Sequence, residues 1–191
     1  MSIIIAAKTG DCVTMICDSL ECAREQSYLL EDEERYKIQM IGNVLVGSAG
    51  KVRAIRRLIS HPEWFDTDGK PFDKRFIVTE IVPKFFKDLD EYSLLKCEKG
   101  EIPSSSSSVL MACEDRLFLL KDNFSVFEID KCCAIGCTKY LIDPLIRDPE
   151  EGKEFEVMLS AMRLSSELSP AVGAPYYYAD TKTLKYEMIK E

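Results

Sequence analysis

Ser2 is the first residue of this sequence whose side chain could act as a nucleophile. A serine hydroxyl is a weak nucleophile at neutral pH and needs an adjacent base. The usual base is a histidine, but His61 is the only one in the chain and Pro62 follows it directly, which disfavours a Ser-His-Asp triad. The remaining base within reach is the α-amine of Ser2 itself, which becomes free when Met1 is removed and has an unperturbed pKa of about 8.

The eight cysteines indicate burial rather than chemistry. Most lie in apolar, strand-like stretches, where a free cysteine packs as a small hydrophobic residue. There is no Cys-x-x-Cys pair and only one histidine, which disfavours a zinc site. We therefore expect reduced thiols, no metal and no cofactor. A hydrolase built on Cys12 or Cys17 is a distant alternative, because both fall within a predicted strand.

The composition is that of an ordinary globular protein. With 191 residues, 46% of them hydrophobic, the chain can form one sizeable core, and we expect a single domain over residues 1–191. No apolar run approaches the roughly 20 residues that span a bilayer, and the first residues lack the basic flank of a secretory signal. The net charge of −8 disfavours nucleic-acid binding. We expect no membrane or nucleic-acid partner, and a location in the cytoplasm or within a virus particle.

The front half predicts a set of antiparallel strands. Residues 2–8 and 12–18 predict a hairpin with its turn at Thr9-Gly10-Asp11. The polar stretch 21–34 predicts a loop or a crossing between sheets, and further strands are predicted at about 36–40 and 43–48.

Two helices are predicted next. One begins at Gly50 and ends at His61, and the second covers about 73–89, where Pro83 must kink or split it. Residues 100–108, with five consecutive serines, predict a flexible loop without a motif.

The back half repeats this order of strands and helices. It predicts strands at 109–113, 116–120, 125–129 and 133–136, helices at about 137–147 and 150–168, and a last strand pair at 176–179 and 184–189. Two runs of antiparallel strands, each followed by helices, predict an α+β fold. The expected architecture is a four-layer α-β-β-α sandwich of two antiparallel sheets covered by helices.

The order of these elements resembles that of a proteasome β-subunit or its bacterial relative HslV, both N-terminal nucleophile (Ntn) hydrolases. The resemblance is carried by the apolar first hairpin, by Asp18 at its end, by Lys37 before the next strand and by the Gly-x-x-Gly step at 47–50 that opens a helix. It covers nearly the whole chain. It implies that the amino-terminal residue of the mature chain is the nucleophile.

The resemblance also implies a role for each candidate catalytic residue. Ser2 would be the nucleophile, in place of the threonine that the family more often has. Asp18 would hold Lys37 in place and charged, and Lys37 would lower the effective pKa of the nucleophile. The backbone N–H of Gly50 would donate to the oxyanion, a contribution of about 3–4 kcal/mol. Ser48 would lie near the pocket for the substrate side chain.

Some positions depart from the pattern of that family. Cys137 stands where active subunits have a serine after the Ala-Ile-Gly step. The stretch 169–174, Ser-Pro-Ala-Val-Gly-Ala, lacks the acid and the following serine expected there. The spacing from Asp18 to Lys37 is also a few residues longer than usual. These departures weigh against efficient catalysis.

Two hypotheses about function follow. The favoured one is a non-catalytic or weakly active subunit that self-associates into a ring as a structural component of a larger assembly, cellular or viral. The alternative is a self-compartmentalised N-terminal serine peptidase with Ser2 as the nucleophile, for which an ATPase unfoldase would be an implied partner. Retention of Met1 would favour the first hypothesis, because the free α-amine would then belong to the wrong residue.

Overall fold

The computed structural model describes residues 2–23, 26–29, 37–97 and 102–190, with the backbone alone for 21–23 and 26–29. The strands are β1 (Ile3–Thr9), β2 (Cys12–Asp18), β3 (Leu20–Ala23), β4 (Gln26–Leu29), β5 (Ile38–Ile41), β6 (Val44–Gly50), β7 (Ser107–Cys113), β8 (Arg116–Leu120), β9 (Val126–Ile129), β10 (Cys132–Gly136), β11 (Tyr176–Asp180) and β12 (Tyr186–Ile189). The helices are α1 (Val52–Ile59), α2 (Lys74–Phe76), α3 (Val82–Glu91), α4 (Lys139–Ile146) and α5 (Glu154–Leu168), with a 3-10 turn at Pro62–Phe65 and a π-helical turn at Ile77–Ile81.

The strands form two five-stranded antiparallel sheets. The first sheet has the order β10-β1-β2-β11-β12, and the second has the order β5-β6-β7-β8-β9. A separate two-stranded sheet pairs β3 with β4. The predicted front hairpin is therefore confirmed, and β1 is an interior strand of the first sheet, between β10 and β2.

Strand β1 shows why the first residues are apolar without alternation. Successive side chains of a strand point to opposite faces of its sheet. Ile3 and Ile5 pack with α4 and α5, whereas Ile4 and Ala6 pack against the second sheet. Because both faces are covered, every one of these side chains is fully buried.

Three hydrophobic clusters separate four layers. One lies between the helices α1 to α3 and the second sheet, and it includes Leu58, Phe85 and Val46. The middle cluster joins the two sheets, and the third joins the first sheet to α4 and α5. The predicted α-β-β-α sandwich is confirmed. Within the part of the chain that is described, no helix is long and apolar enough to cross a membrane.

Some local predictions differ from the structure. The stretch 21–34 is predicted to be a loop or a crossing between sheets, but its start forms the hairpin of β3 and β4, and residues 30–36 lie outside the described part. Pro83 does not split the second helical segment. It lies in the first turn of α3, directly after the π-helical turn, and the helix continues through it to Glu91. The serine run is also not all loop, since Ser107 begins β7.

Candidate functional site

Ser2 lies just before β1, where hydrogen bonds hold the backbone from two sides. The backbone N–H of Cys137, directly after β10, donates to the carbonyl oxygen of Ser2 at 2.9 Å. The backbone N–H of Ile3 donates to Oδ1 of Asp18, at the end of β2, at 3.0 Å. The register explains the first contact, since Ile3 is paired with Gly136. The ends of three neighbouring strands therefore fix the position of Ser2.

The close approach of β10 to Ser2 requires a glycine at position 136. Gly136 has a φ of +119°, a conformation that other residues rarely adopt. A Cβ atom at this position would lie 1.9 Å from the carbonyl oxygen of Ser2. The glycine of the Ala-Ile-Gly step therefore has a steric function, which is to let the backbone of Ser2 pass.

Asp18 is completely buried and accepts three hydrogen bonds. The donors are the backbone N–H of Ile3 at 3.0 Å, the backbone N–H of Leu20 at 3.2 Å and Nζ of Lys37 at 2.6 Å. Burial raises the pKa of the Asp18 carboxyl above its ordinary value, and the charge of Lys37 and the two N–H groups oppose that rise. A carboxylate without solvent needs such donors, because an unpaired buried charge is costly.

Lys37 connects the two sheets at this point. Its side chain is 7% exposed, and its Nζ donates to Asp18 and also to the carbonyl oxygen of Leu20 at 2.5 Å. Its own carbonyl oxygen accepts a hydrogen bond from the backbone N–H of Ser48 at 3.1 Å. The ion pair is formed although the spacing along the chain is longer than the resemblance implies. The roles assigned to Asp18 and Lys37 remain predictions.

Gly50 ends β6 on the second sheet and has a φ of +138°. A Cβ atom here would lie 2.5 Å from the carbonyl oxygen of Ser106, so only glycine fits this approach of β6 to β7. The next peptide is held by Ser107, whose Oγ accepts the backbone N–H of Lys51 at 3.0 Å. The position of the predicted oxyanion donor is therefore set by the serine segment before β7.

A cleft of about 730 Å³ opens between the two sheets beside Ser2. It brings Ser2 together with Gly50, although these residues belong to different halves of the sandwich. The side chain of Ser48 is 7% exposed, and Ser48 is not among the described residues that line the cleft; its neighbours Ala49 and Gly50 are. Asp18 is buried and connects to Ser2 through the N–H of Ile3.

The cleft is also lined by residues that no sequence pattern indicated as part of a site. They are Lys96, Ile102, Ser104, Ser106, Ser107, Ser108, Asp122, Gly136 and Lys139. The run of five serines was the available signal, but its spacing matches no motif. Only the pairing of β6 with β7, which sets Gly50 opposite Ser107 and Ala49 opposite Ser108, brings this segment to Ser2.

The stretch 169–174 lies close to the Asp18 end of the site. The backbone N–H of Ser19 donates to the carbonyl oxygen of Gly173 at 3.3 Å. This stretch contains no acidic residue. The stretch that departs from the family pattern therefore lies beside the end of β2, which carries Asp18.

The cysteines differ in what they could do. Cys17 is 1% exposed, and burial raises its pKa to about 12, which disfavours the thiolate that a cysteine hydrolase needs. Cys137 is exposed and lines the cleft. Every cysteine whose side chain is described is a free thiol, and no three His, Cys, Asp or Glu side chains in the described ranges are grouped so that they could hold a metal ion.

Neither sequence comparison finds a relative: no family model matches the chain, and no curated protein matches it. Solved structures do share its fold. BPH from Thiobacillus denitrificans has a TM-score of 0.70 at 17% identity, over 93% of this chain and 96% of that chain, and is also known in complex with epoxomicin. Anbu, an ancestral beta-subunit, from Yersinia bercovieri has a TM-score of 0.73 at 16% identity, over 99% of this chain and 87% of that chain. The helical assembly of the Anbu complex from Pseudomonas aeruginosa has a TM-score of 0.72 at 12% identity, over 99% of this chain and 87% of that chain.

The prediction that the chain resembles a proteasome β-subunit or HslV is therefore wrong. The structural neighbours are Anbu proteins and BPH; Anbu is a proteasome-like Ntn-hydrolase family, and HslV is a related but distinct member. The residues that suggested the resemblance, Asp18, Lys37 and Gly50, lie at or next to strand ends in this fold. At 12–17% identity the likeness shows the fold alone. The chain has the α-β-β-α sandwich fold of the proteasome-like Ntn hydrolases.

Proposed function

We propose that this protein is an N-terminal serine hydrolase that cleaves peptide bonds. The observation that carries the proposal is the buried ion pair between Asp18 and Lys37, 2.6 Å long and joined to the backbone at Ser2 through the N–H of Ile3. A buried pair is often no more stable than well-packed apolar side chains would be. Its presence beside a serine at an open cleft therefore favours a chemical role.

In the proposed mechanism, removal of Met1 frees the α-amine of Ser2. Oγ of Ser2 attacks the carbonyl carbon of the substrate while its proton passes to this amine. The backbone N–H of Gly50 stabilises the negative oxygen of the tetrahedral intermediate. When the C–N bond breaks, the proton moves to the leaving amine and an acyl ester remains on Ser2. A water molecule then attacks the ester by the same proton transfers in reverse, releasing the acid.

The positive charge of Lys37 supports this scheme electrostatically. A nearby cation disfavours protonation of the α-amine, so it keeps more of that amine in the form that accepts a proton. Asp18 holds the ammonium in place, and its own burial means that neither charge is screened by solvent. The structural similarity to BPH, which has been observed with epoxomicin, supports the proposal at the level of the fold.

Intact-protein mass measured before and after incubation with a peptide epoxyketone tests this function. The reagent requires both a hydroxyl and a free α-amine on one residue, so it reports the proposed nucleophile directly. We expect loss of Met1, a single adduct, and no adduct in Ser2→Ala. Lys37→Met should slow adduct formation by about 100-fold or more. Ser60→Ala, at the exposed end of α1, is the matched control and should react like the unmodified protein. A retained Met1 without an adduct would overturn the proposal.

A second candidate is a structural subunit that self-associates, and a specific observation favours it. The helix α4 exposes three large apolar side chains: Tyr140 is 78% exposed, Leu141 58% and Leu145 52%. Exposed apolar patches of this kind mark protein interfaces. The Anbu neighbour from Pseudomonas aeruginosa was solved as a helical assembly.

Sedimentation velocity tests the second candidate. We expect the unmodified protein to sediment as an oligomer, and Leu141→Glu with Leu145→Glu to dissociate it. Val78→Glu, at an apolar position on the opposite helical layer that is 44% exposed, is the control and should leave the oligomer unchanged. A protein that remains monomeric at high concentration would overturn self-association. A closed ring, an ATPase unfoldase partner and a cytoplasmic location remain proposals, the last supported by the free thiols.

A further inference from the structure

Gly50 carries the proposed oxyanion donor, and a glycine does not by itself fix the direction of its own N–H. Each peptide group is rigid, so the backbone turns only about the two bonds of the Cα atom. Glycine has the widest range of these rotations, and Gly50 uses it, since its φ is +138°. A misplacement of about 1 Å can slow a reaction about 100-fold. A precisely aimed donor at this position therefore needs support from other residues.

The peptide group before Gly50 is held in the second sheet. The pairing of β6 with β7 continues to the last residue of β6, with Ala49 opposite Ser108 and Gly50 opposite Ser107. The two strands approach so closely here that a Cβ atom on Gly50 would lie 2.6 Å from the Cα atom of Ser107. The N-terminal side of Gly50 is thus anchored to β7.

The peptide group after Gly50 is fixed by the hydroxyl group of Ser107. Oγ of Ser107 accepts the backbone N–H of Lys51 at 3.0 Å, and the carbonyl oxygen of Ser106 accepts the same N–H at 3.3 Å. The proton of this hydroxyl has carbonyl acceptors in Ser105 at 3.4 Å and in Lys51 at 3.5 Å. Ser107 is buried, so little water competes for these contacts. Both peptide groups that flank Gly50 are therefore held by the same neighbouring strand.

The contact with Ser107 also closes the N-terminus of α1. Lys51 is the N-cap residue of this helix, and its own side chain forms no capping hydrogen bond. The first N–H groups of a helix have no acceptor within the helix. Ser107 supplies one of the missing acceptors from β7. Loss of its hydroxyl would therefore loosen the start of α1 together with the peptide beside Gly50.

Ser107 is itself held in place by the completely buried Ser105. Oγ of Ser105 accepts the backbone N–H of Ser107 at 3.2 Å and donates to the carbonyl oxygen of Ser107 at 3.0 Å. The backbone N–H of Ser105 donates to the carbonyl oxygen of Asp122 at 2.9 Å. Precise sites depend on supporting residues that are locked in this way.

Ser106, between these two serines, has a strained backbone. Its φ is +54°, in the left-handed region that residues other than glycine rarely adopt. Its N–H donates to Oγ of Ser104 at 3.0 Å, and its carbonyl oxygen accepts the N–H of Lys51. Strained conformations persist where the surrounding contacts impose them, and they are frequent at functional sites.

We propose that Ser107 is a positioning residue for the oxyanion donor. Its hydroxyl fixes the peptide that follows Gly50 and thereby aims the N–H of Gly50 into the cleft that Ser2, Gly50 and Ser107 line together. This inference rests on the proposed role of Gly50 in hydrolysis. It gives the serine run, which matches no motif, a role in the site: Ser107 makes the contact and Ser105 supports it.

The rate of epoxyketone labelling, measured at several reagent concentrations, separates binding of the reagent from its reaction. When Oγ of Ser2 attacks the ketone, its proton passes to the α-amine and the carbonyl oxygen gains the negative charge that the Gly50 N–H stabilises. Ser107→Ala should lower the maximal labelling rate about 10- to 100-fold and change the half-saturating concentration less than about threefold. A merely structural defect would instead reduce the fraction of protein that reacts. Ser107→Cys keeps the shape with a weaker acceptor and should give an intermediate rate.

Hydrogen exchange of the Lys51 amide, followed by NMR, tests the same contact without requiring activity. Ser107→Ala removes an acceptor of this N–H, so its exchange should become about tenfold faster or more. Ser166→Ala is the matched control. It removes a half-buried hydroxyl of α5 that is hydrogen-bonded to the Tyr176 hydroxyl at 2.7 Å. This variant should change neither the exchange of Lys51 nor the maximal labelling rate.

Two results would overturn this inference while leaving the proposed function intact. One is an unchanged exchange rate of the Lys51 amide in Ser107→Ala, and the other is an unchanged maximal labelling rate. An unmodified protein that forms no adduct would overturn the proposed function instead. The exchange of Lys51 would then decide by itself whether Ser107 fixes the peptide beside Gly50.

Discussion

Nζ of Lys37 lies 2.6 Å from Oδ2 of Asp18, a contact between two almost fully buried side chains that are 19 residues apart in the chain. This contact joins the front of the second sheet to the end of a strand in the first. Since the same carboxylate accepts the N–H of Ile3 at 3.0 Å, the ion pair and the backbone beside Ser2 form one connected unit.

The first prediction concerns the stability that depends on this ion pair. Lys37→Met leaves the Asp18 carboxylate buried without its cation, and we expect the free energy of unfolding to fall by about 3–5 kcal/mol. Asp18→Asn in the same protein removes the unpaired charge while keeping an oxygen that can accept the N–H of Ile3. The double variant should therefore recover part of the loss, as measured by urea unfolding at pH 7.

A double variant as unstable as the sum of the two single variants would contradict this account. In that case the two residues would contribute independently, and the short contact would carry no coupling energy.

The second prediction concerns the glycine beside Ser2. Gly136→Ala places a Cβ atom 1.9 Å from the carbonyl oxygen of Ser2 at a φ of +119°, so we expect a loss of about 3 kcal/mol or more and a displaced Ser2. Gly10→Ala is the matched control, because Gly10 also has a positive φ but nothing lies within 4 Å of the added atom. It should cost only about 1–2 kcal/mol of backbone strain.

Thermal or urea unfolding measures both losses, and epoxyketone labelling measures the displacement. If Gly136→Ala were as stable and as reactive as Gly10→Ala, the close approach of β10 to Ser2 would not constrain the site.

The third prediction uses the different environments of two cysteines. Cys137 is exposed in the cleft, whereas Cys17 is buried and has a pKa raised to about 12 by that burial. Burial both excludes the reagent and disfavours the thiolate of Cys17, so a bulky maleimide should label Cys137 and spare Cys17 at pH 8. Labelling at Cys137 should also block the epoxyketone from reaching Ser2.

Peptide mapping by mass spectrometry identifies the labelled thiols, and Cys137→Ser provides the control. This variant should keep its reactivity toward the epoxyketone after maleimide treatment, even though other exposed cysteines are labelled. Continued blocking in Cys137→Ser would show that a different thiol controls access to the cleft.

The fourth prediction concerns pH and the ion pair between α1 and α3. Nε of Arg57 donates to Asp88 at 2.7 Å, and this side-chain hydrogen bonding holds the pKa of the Asp88 carboxyl below its ordinary value. A carboxyl whose pKa is lower in the folded state contributes stability above its unfolded pKa, and that contribution is lost as the pH falls through the folded pKa. Arg57→Met should therefore destabilise the protein at pH 7 and have progressively less effect below about pH 3.9.

Urea unfolding at several pH values compares Arg57→Met with the unmodified protein. Lys84→Met removes an exposed pair with Glu80 and should have little effect at any pH. A destabilisation by Arg57→Met that stays constant down to pH 2.5 would show that the contribution of Arg57 is packing, for example against the Tyr92 ring, rather than charge.

Much of the fold can be predicted from the sequence because it depends on local patterns. The continuous apolar run at Ile3–Ala7 predicts a strand, and the periodicity of 150–168 predicts α5 with only its first turn misplaced. Glycines 50 and 136 are recognisable as steps between a strand and a helix. These features depend on side-chain periodicity and backbone conformation within a few residues.

Other features depend on contacts that a one-dimensional pattern does not contain. Leu20–Ala23 is only four residues long, which is too short to predict a strand without its partner at Gln26–Leu29. The serine run has no motif, and it joins the site only because β6 pairs with β7.

The sequence by itself determined the candidate nucleophile, the apolar strands and the order of the layers, since these follow from residue type and local periodicity. The tertiary structure decided that Lys37 meets Asp18, which the resemblance had only implied, and it alone decided that Ser2 lines a cleft with residues from both halves of the sandwich. The physical reason is that strand pairing and sheet packing bring together residues far apart in the chain. The geometry and charge of the site are set by that packing.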